Sequence, residues 1–364
     1  MKSKIETLEK DFEGIQNPSN LYTKRSRLYN IEPINVGNLM VESLTSYLSR
    51  LAIAHCVYIS DLFFGEIEPL FQQKRTKEYR VNKLNSINGY NYLAKECVRA
   101  IELLTHRNDI KYLTLLHFEG IISGGNKEFI STYKKFCPMC LYDFKLNETK
   151  IYEPLLWQIK GVNTCPIHLI KLIDKCGKCK KQSKVIFFKS RPGYCQHCNE
   201  WLGNDNEIEN ATLSMYDKAF KDLLENILIL PKYNREEIRK SLISLVNSYD
   251  SFKKFSLDIL GKESSSLPSS WINNAIYPEF ETLLQISTKL NSSLLDFIDK
   301  DQSRHIIKNV EGIKKSKQYL IVEKILEEIQ KTNKEFFSFE CLLRKTNVNK
   351  EYLIRNFAIK ISQK

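Results

Sequence analysis

The stretch "VESLTSYLSRLAIAHCVYISDLFF" places Leu44, Leu48, Leu51 and His55 at steps of four, three and four, the spacing of one helix face. Glu42 and Ser43 stand at the start of this helix, and "HCVYIS" predicts a turn into the next one, a helix-turn-helix arrangement. "NYLAKECVRAIELLT" repeats the pattern with Leu93, Cys97, Ala100, Ile101 and Leu104. Both runs read as helical core. Beyond Trp201 the chain turns polar, then resumes helical periodicity in "DKAFKDLLENILIL" and "EEIRKSLISLVNSY", which read as bundle helices. "GKESSSLPSS", residues 261–270, is Ser-rich with one proline and reads as a linker.

Two further units have helix-turn-helix cadence. In "FETLLQISTKLNSSLLDFI", Leu283, Leu284, Ile286 and Leu290 lie on a first helix, Asn291 at the turn, and Leu294, Leu295 and Ile298 on a second. "FFSFECLLRKTNVNKEYLIRNF" repeats this with Asn347 to Asn349 at the turn and Tyr352 to Phe357 beyond it. The N-terminal residues of such a second helix meet base edges in a major groove. Ser292 and Ser293 are the candidates in the first unit, Asn349 and Tyr352 in the second. Arg344, Lys345, Lys350 and Arg355 are candidates for phosphate oxygens. The pattern predicts a mainly α protein: a helical, helix-turn-helix-like region at 1–130, a zinc-ribbon-like region at 131–203, a bundle segment at 204–260, and a C-terminal helical domain at 271–364 behind the linker.

The central region is defined by cysteine. Seven of the ten cysteines fall between residues 137 and 198 in close pairs: Cys137-x2-Cys140, Cys165-x2-His168, Cys176-x2-Cys179 and Cys195-x2-Cys198. A two-residue gap lets both members of a pair reach one ion, and eight ligands make two closed tetrahedra of the kind structural Zn²⁺ prefers. The last two pairs, each with a glycine nearby (Gly177, Gly193), are joined by a β-prone run from Val185 to Phe188, as in a zinc ribbon. For the first quartet the spacing leaves alternatives: His197 in place of His168, or Cys137 and Cys140 sharing an ion with Cys176 and Cys179. A catalytic zinc would keep a position for water with a carboxylate near it; neither is indicated, and the deaminase His-x-Glu motif is absent, Ile170 standing two residues after His168. Cys56, Cys97 and Cys341 each sit alone in apolar, helix-like contexts and are expected in the core.

Composition narrows the function classes. A chain of 364 residues with 42% apolar content exceeds one hydrophobic core and predicts two to four domains. Its net charge of +12 and pI near 9.0 favour a polyanionic partner such as double-stranded DNA. Residues 301–364 carry 14 Lys/Arg against 8 Asp/Glu. The opening "MKSKIETLEKDFEG" alternates charges where a signal peptide needs an apolar core, and no stretch approaches a membrane span. A soluble, cytoplasmic, nucleoid-associated protein without a membrane partner is expected, in which paired cysteines hold metal rather than disulfides.

The ordered blocks resemble a known family. "EPINVGNLMVESLTSYLSRLA" is similar to the Gly-Glu-Ser-Leu helix start of TniQ/TnsD proteins, target-site selectors of multi-subunit DNA transposons, with Val41 where that family has glycine. "INGYNYLAKECVRAIELLTHRNDIKYLTL" resembles the next block, and "FCPMCL", "WQIKGVNTCPIHLIKLIDKCGKC" and "GYCQHCNEWL" resemble its zinc region, so the resemblance spans residues 30–203. It implies an adaptor that is not an enzyme. Such an adaptor reads an attachment site in DNA, or docks on an RNA-guided CRISPR effector complex. It then recruits a TnsC-like AAA+ ATPase and through it the transposase. The chain itself has no P-loop motif. Direct DNA reading through the C-terminal domain is the primary expectation, and the RNA-guided adaptor, in which that domain serves dimerisation and docking, is the alternative. A zinc-dependent transcription regulator is a second alternative, which predicts a symmetric homodimer on a palindromic operator.

Overall fold

The computed structural model describes residues 25–72, 81–122, 129–206, 209–249, 251–273 and 276–299, with isolated positions beyond. Helix α1 spans Leu44–Ala54; Ser43 caps it, its Oγ accepting from Ser46 N–H at 3.2 Å. Leu44, Leu48 and Leu51 are fully buried. Cys56 adopts a left-handed φ of +56° and reverses the chain into α2 (Ile59–Leu62), which continues through irregular helical turns to Leu70. The two arms meet at 100°, within the range of helix-turn-helix pairs. His55 does not share the core face. It ends α1, accepts Tyr29 N–H at Nε2 (2.9 Å) and stacks on the Tyr29 ring at 4.2 Å. Cys56 is exposed, contrary to the core role expected of it, because the reversal turns it outward, whereas Cys97 is buried; Cys341 lies outside the described residues. Cys97 belongs to α3 (Tyr92–Thr105), capped by Asn91, where Leu93, Ala100, Ile101 and Leu104 are buried as their spacing predicts.

From Phe129 to Asn206 the regular structure consists of α4 (Pro138–Leu146) and a single turn at Leu155–Gln158. Among the described residues there is no β-strand, only eight isolated bridges. The β-prone run Val185–Phe188 is therefore not a strand: Val185 and Ile186 are driven into the core, and Phe187 and Phe188 lead into a turn. The ribbon is reduced to one bridge per knuckle, Lys175 with Gln182 and Tyr194 with Trp201.

The helical part follows with α5 (Met215–Glu225), α6 (Arg235–Asn247), α7 (Phe252–Phe255), α8 (Ser266–Ile272), α9 (Phe280–Lys289) and α10 (Leu294–Ile298). The Ser-rich stretch 261–270 is not all linker, since α8 begins at Ser266 and buries Pro268 and Trp271. Helices α9 and α10 form the predicted unit, with Asn291 at φ +49° in the turn. The second unit, residues 336–357, lies outside the described residues, Leu343 apart. One hydrophobic cluster runs from Leu28 to Ile298 across the compositional boundaries. Phe280 packs on Phe129 (5.7 Å) and Phe220 (5.1 Å), joining α9 to the zinc-region backbone and to α5. Among the described residues no single helix is long and apolar enough to cross a membrane.

Two buried carboxylates hold the start of α1, and the second of them joins it to the central region. Glu42 is fully buried; it accepts from Arg50 (2.5 Å), Ser46 Oγ (2.8 Å) and Ile34 N–H (3.3 Å). Burial nevertheless pushes its carboxyl up to about 7 against the pull of Arg50. Glu153 is the wider junction. Its carbonyl accepts from Ser43 N–H and Oγ, its N–H donates to Ser46 Oγ, and its carboxylate accepts from Lys134 (2.5 Å) and Gly193 N–H (3.2 Å). Val41, where the resembled family has glycine, is fully buried and leaves the helix start intact. Lys134 and Glu153 side chains are 4% and 5% exposed, so removing one strands the other charge away from water. Glu153→Ala is expected to cost about 3–5 kcal/mol of unfolding free energy, measured by urea denaturation; an unchanged midpoint would refute the role given to this junction.

Candidate metal centres

The first centre is built on a helix start. Cys137 is the N-cap of α4, Pro138 occupies the first turn, and the Cys137 sulfur accepts Cys140 N–H at 3.4 Å. Both sulfurs thus sit at the first turn of a helix, held against each other by that turn. The facing pair comes from a knuckle: Leu169 N–H donates to Cys165 C=O at 2.8 Å, and Leu169 takes φ +53°. Cys140 Sγ lies 3.6 Å from Cys165 Sγ; His168 Nδ1 lies 3.6, 3.2 and 3.9 Å from the sulfurs of Cys137, Cys140 and Cys165. Hydrogen bonds from Cys137 and Cys140 hold the Cys165 thiol well below the ordinary thiol range. The other ring nitrogen, His168 Nε2, meets Asp143 Oδ2 at 2.9 Å.

The knuckle geometry recurs twice in the second centre. Lys180 N–H donates to Cys176 C=O (3.0 Å) and Asn199 N–H to Cys195 C=O (3.0 Å), and Lys180 and Asn199 take φ +58° and +55°. In each of the three knuckles the first Cys N–H returns to the carbonyl five residues on, at Ile170, Lys181 and Glu200. The left-handed position is thus the residue after the pair, not the nearby glycine. Gly193 has a different role: its φ is +78°, and a Cβ there would lie 2.4 Å from the Trp201 ring. The sulfurs pair as Cys176 with Cys198 and Cys179 with Cys195, each at 3.7 Å.

Within each quartet the ligand atoms lie within 4.8 Å of one another. Sulfurs 2.3 Å from a tetrahedral ion stand about 3.8 Å apart, so contacts of 3.6–3.7 Å fit such an ion without rearrangement. Cys137 and Cys140 converge with Cys165 and His168 rather than with Cys176 and Cys179. His197 stands outside both groups: its Nε2 is 2.9 Å from Gln182 C=O and its N–H donates to the Cys195 sulfur. Each quartet is a closed set of four soft or borderline donors able to hold one metal ion. Asp143 was not singled out from the sequence, although its position three residues after Cys140, on the same face of α4, is the available signal.

The DNA-contact candidates are distributed differently. Ser293 caps α10 by accepting Asp296 N–H (3.1 Å), and the Ser292 hydroxyl donates to Ser287 C=O (3.3 Å). Arg344, Lys345, Asn349, Lys350, Tyr352 and Arg355 lie outside the described residues. Residues 33–172 match the family model TniQ. That span holds the Glu42–Ser43 helix start, Glu153 and the whole first quartet, while the second quartet and helices α5–α10 lie beyond it. No curated protein matches the chain.

A carboxylate on the outer nitrogen of a ligating histidine fixes its tautomer and orientation. With zinc in both centres, Asp143→Ala is expected to lower the affinity of the first by about 10- to 100-fold and to leave the second unchanged. Chelator competition checks this, and equal affinities for both centres before and after the change would contradict it.

Proposed function

Because the chain belongs to the TniQ family across residues 33–172, we propose that it is the target-site selector of a multi-subunit transposon, binding target DNA and recruiting a TnsC-like AAA+ ATPase, and through it the transposase. The family match carries this reading. In it, Zn²⁺ occupies both quartets as a structural ion, supplying the cross-links that the short bridges of this region lack, each worth on the order of 10 kcal/mol of folding free energy. Four Cys or His ligands per ion leave no position for water, which favours an adaptor over a metal enzyme.

The division of labour follows the charge and the fold. The N-terminal helical region and the first centre, which carry the family match, serve the ATPase. DNA contact falls to the C-terminal segment, with Arg344, Lys345, Lys350 and Arg355 on phosphates and Asn349 and Tyr352 at bases. The α9–α10 unit is a weaker reading element. Four of the five residues of α10 are buried and the exposed one is Asp296, while Ser292 and Ser293 engage their hydroxyls in the turn.

The test is binding of the zinc-loaded protein to duplex fragments tiled across the insertion junction of its element, against competitor DNA at physiological salt. One fragment is expected to bind preferentially. Replacing Arg344, Lys345 and Lys350 by Ala should flatten the log-log salt dependence by about 0.9 per lost phosphate contact. Binding no tighter than to competitor would reject direct reading in favour of the adaptor that borrows its target from an RNA-guided complex.

A further inference from the structure

The basic surplus of the chain is concentrated in two segments. Residues 171–191 hold eight Lys/Arg against one acid, Asp174, and residues 301–364 hold fourteen against eight. Together they carry more than the whole excess of twelve, so the rest of the chain is close to neutral. The first segment wraps the second metal centre.

Most of its charges are exposed and without acidic partners. Asp174 accepts from Gln182 Nε2 at 2.6 Å, and Lys178 pairs with Glu200 at 2.7 Å. Lys171, Lys175, Lys180, Lys181, Lys189 and Arg191 are exposed, and among the described residues none of them forms an ion pair. Their backbone is held by the knuckle: Lys180 is its left-handed residue, and Lys181 C=O receives Cys176 N–H at 3.1 Å. Aromatic faces steady three of the eight cations. Lys184 lies 4.0 Å from the centre of the Tyr133 ring, Arg191 3.9 Å from that of Tyr194, and Lys189 within 5.5 Å of both Tyr58 and Phe188.

We infer that the second metal centre presents a sequence-independent binding surface for the phosphate backbone of duplex DNA. Seven of the eight cations are lysines, compact point charges suited to phosphate, whereas arginine supplies the planar fork of bidentate recognition. Unpaired cations held by a cross-linked backbone need little reordering to meet a regular polyanion, and each phosphate neutralised releases counterions. The surface would hold the duplex while the C-terminal segment reads it. The inference rests on the DNA-binding part of the function proposed above, but it concerns a different segment and a different kind of contact.

The test compares the full-length, metal-loaded protein with the variant Lys180→Ala, Lys181→Ala, Lys189→Ala, Arg191→Ala on the junction duplex and on random duplex. The substituted residues are neither metal ligands nor buried, and two metal equivalents are expected to remain bound. The log-log salt slope should fall by about 0.9 per lost contact, roughly two to four in all, and equally on both duplexes. The milder pair Lys180→Gln, Lys181→Gln should show about half the effect. If the parent protein does not prefer the junction but the slopes still fall, the selector reading fails and this surface stands. Unchanged slopes would overturn the inference, as would a loss of ATPase binding with the DNA slopes intact, which would assign the surface to a protein partner.

Discussion

The convergence of four side chains on one point, achieved twice, is the constraint from which the middle of this protein takes its shape. Between Phe129 and Asn206 the backbone has one nine-residue helix, a single further turn and isolated bridges. Such a segment has too few ladder hydrogen bonds to fix its own course. Its order comes from three knuckles of one design and a helix start, which bring donors 31 residues apart, at Cys137 and His168, to within 3.6 Å. A metal ion at each point would convert contacts between thiols into bonds.

The consequences spread outward through Glu153. Its backbone meets Ser43 and Ser46 at the start of α1, and its carboxylate reaches Lys134 and the N–H of Gly193, two residues before Cys195. The start of α1 and the second centre are therefore coupled through one residue, although the match to the family model ends at residue 172. On the other side, Asp217 caps α5 together with Ser214 and accepts the N–H groups of Asn163 and Thr164, next to Cys165. Both helical regions thus lean on the metal region.

Legibility in the sequence followed the range of the interaction. Helix faces such as Leu44, Leu48 and Leu51, or Leu93, Cys97 and Ile101, repeat at a local period and were readable. So were the four Cys/His pairs, the family resemblance over the part that residues 33–172 carry, and the α9–Asn291–α10 cadence. The exceptions are long-range or conformational. His55 fits a helical face by spacing and Cys56 sits in an apolar, helix-like context, but α1 ends before them and the left-handed turn carries Cys56 outward. Val185–Phe188 has strand-forming residues, yet the pull of Val185 and Ile186 into the core outweighs pairing. Which pairs converge, and that Asp143 backs His168, depend on contacts across sixteen to thirty-one residues that no periodicity encodes. The lysines of 171–191 were visible one by one, and it is their attachment to a rigid knuckle that makes them a surface.

The most direct test of this account is metal stoichiometry measured together with tertiary structure. The protein should contain two zinc ions per chain, and their removal by a strong chelator at neutral pH should abolish the near-ultraviolet circular dichroism of the central region while the far-ultraviolet helical signal largely persists, both recovering on readdition of zinc. A metal-free protein that retains its tertiary signal and its resistance to proteolysis between residues 129 and 206 would contradict the claim that two metal centres organise the fold.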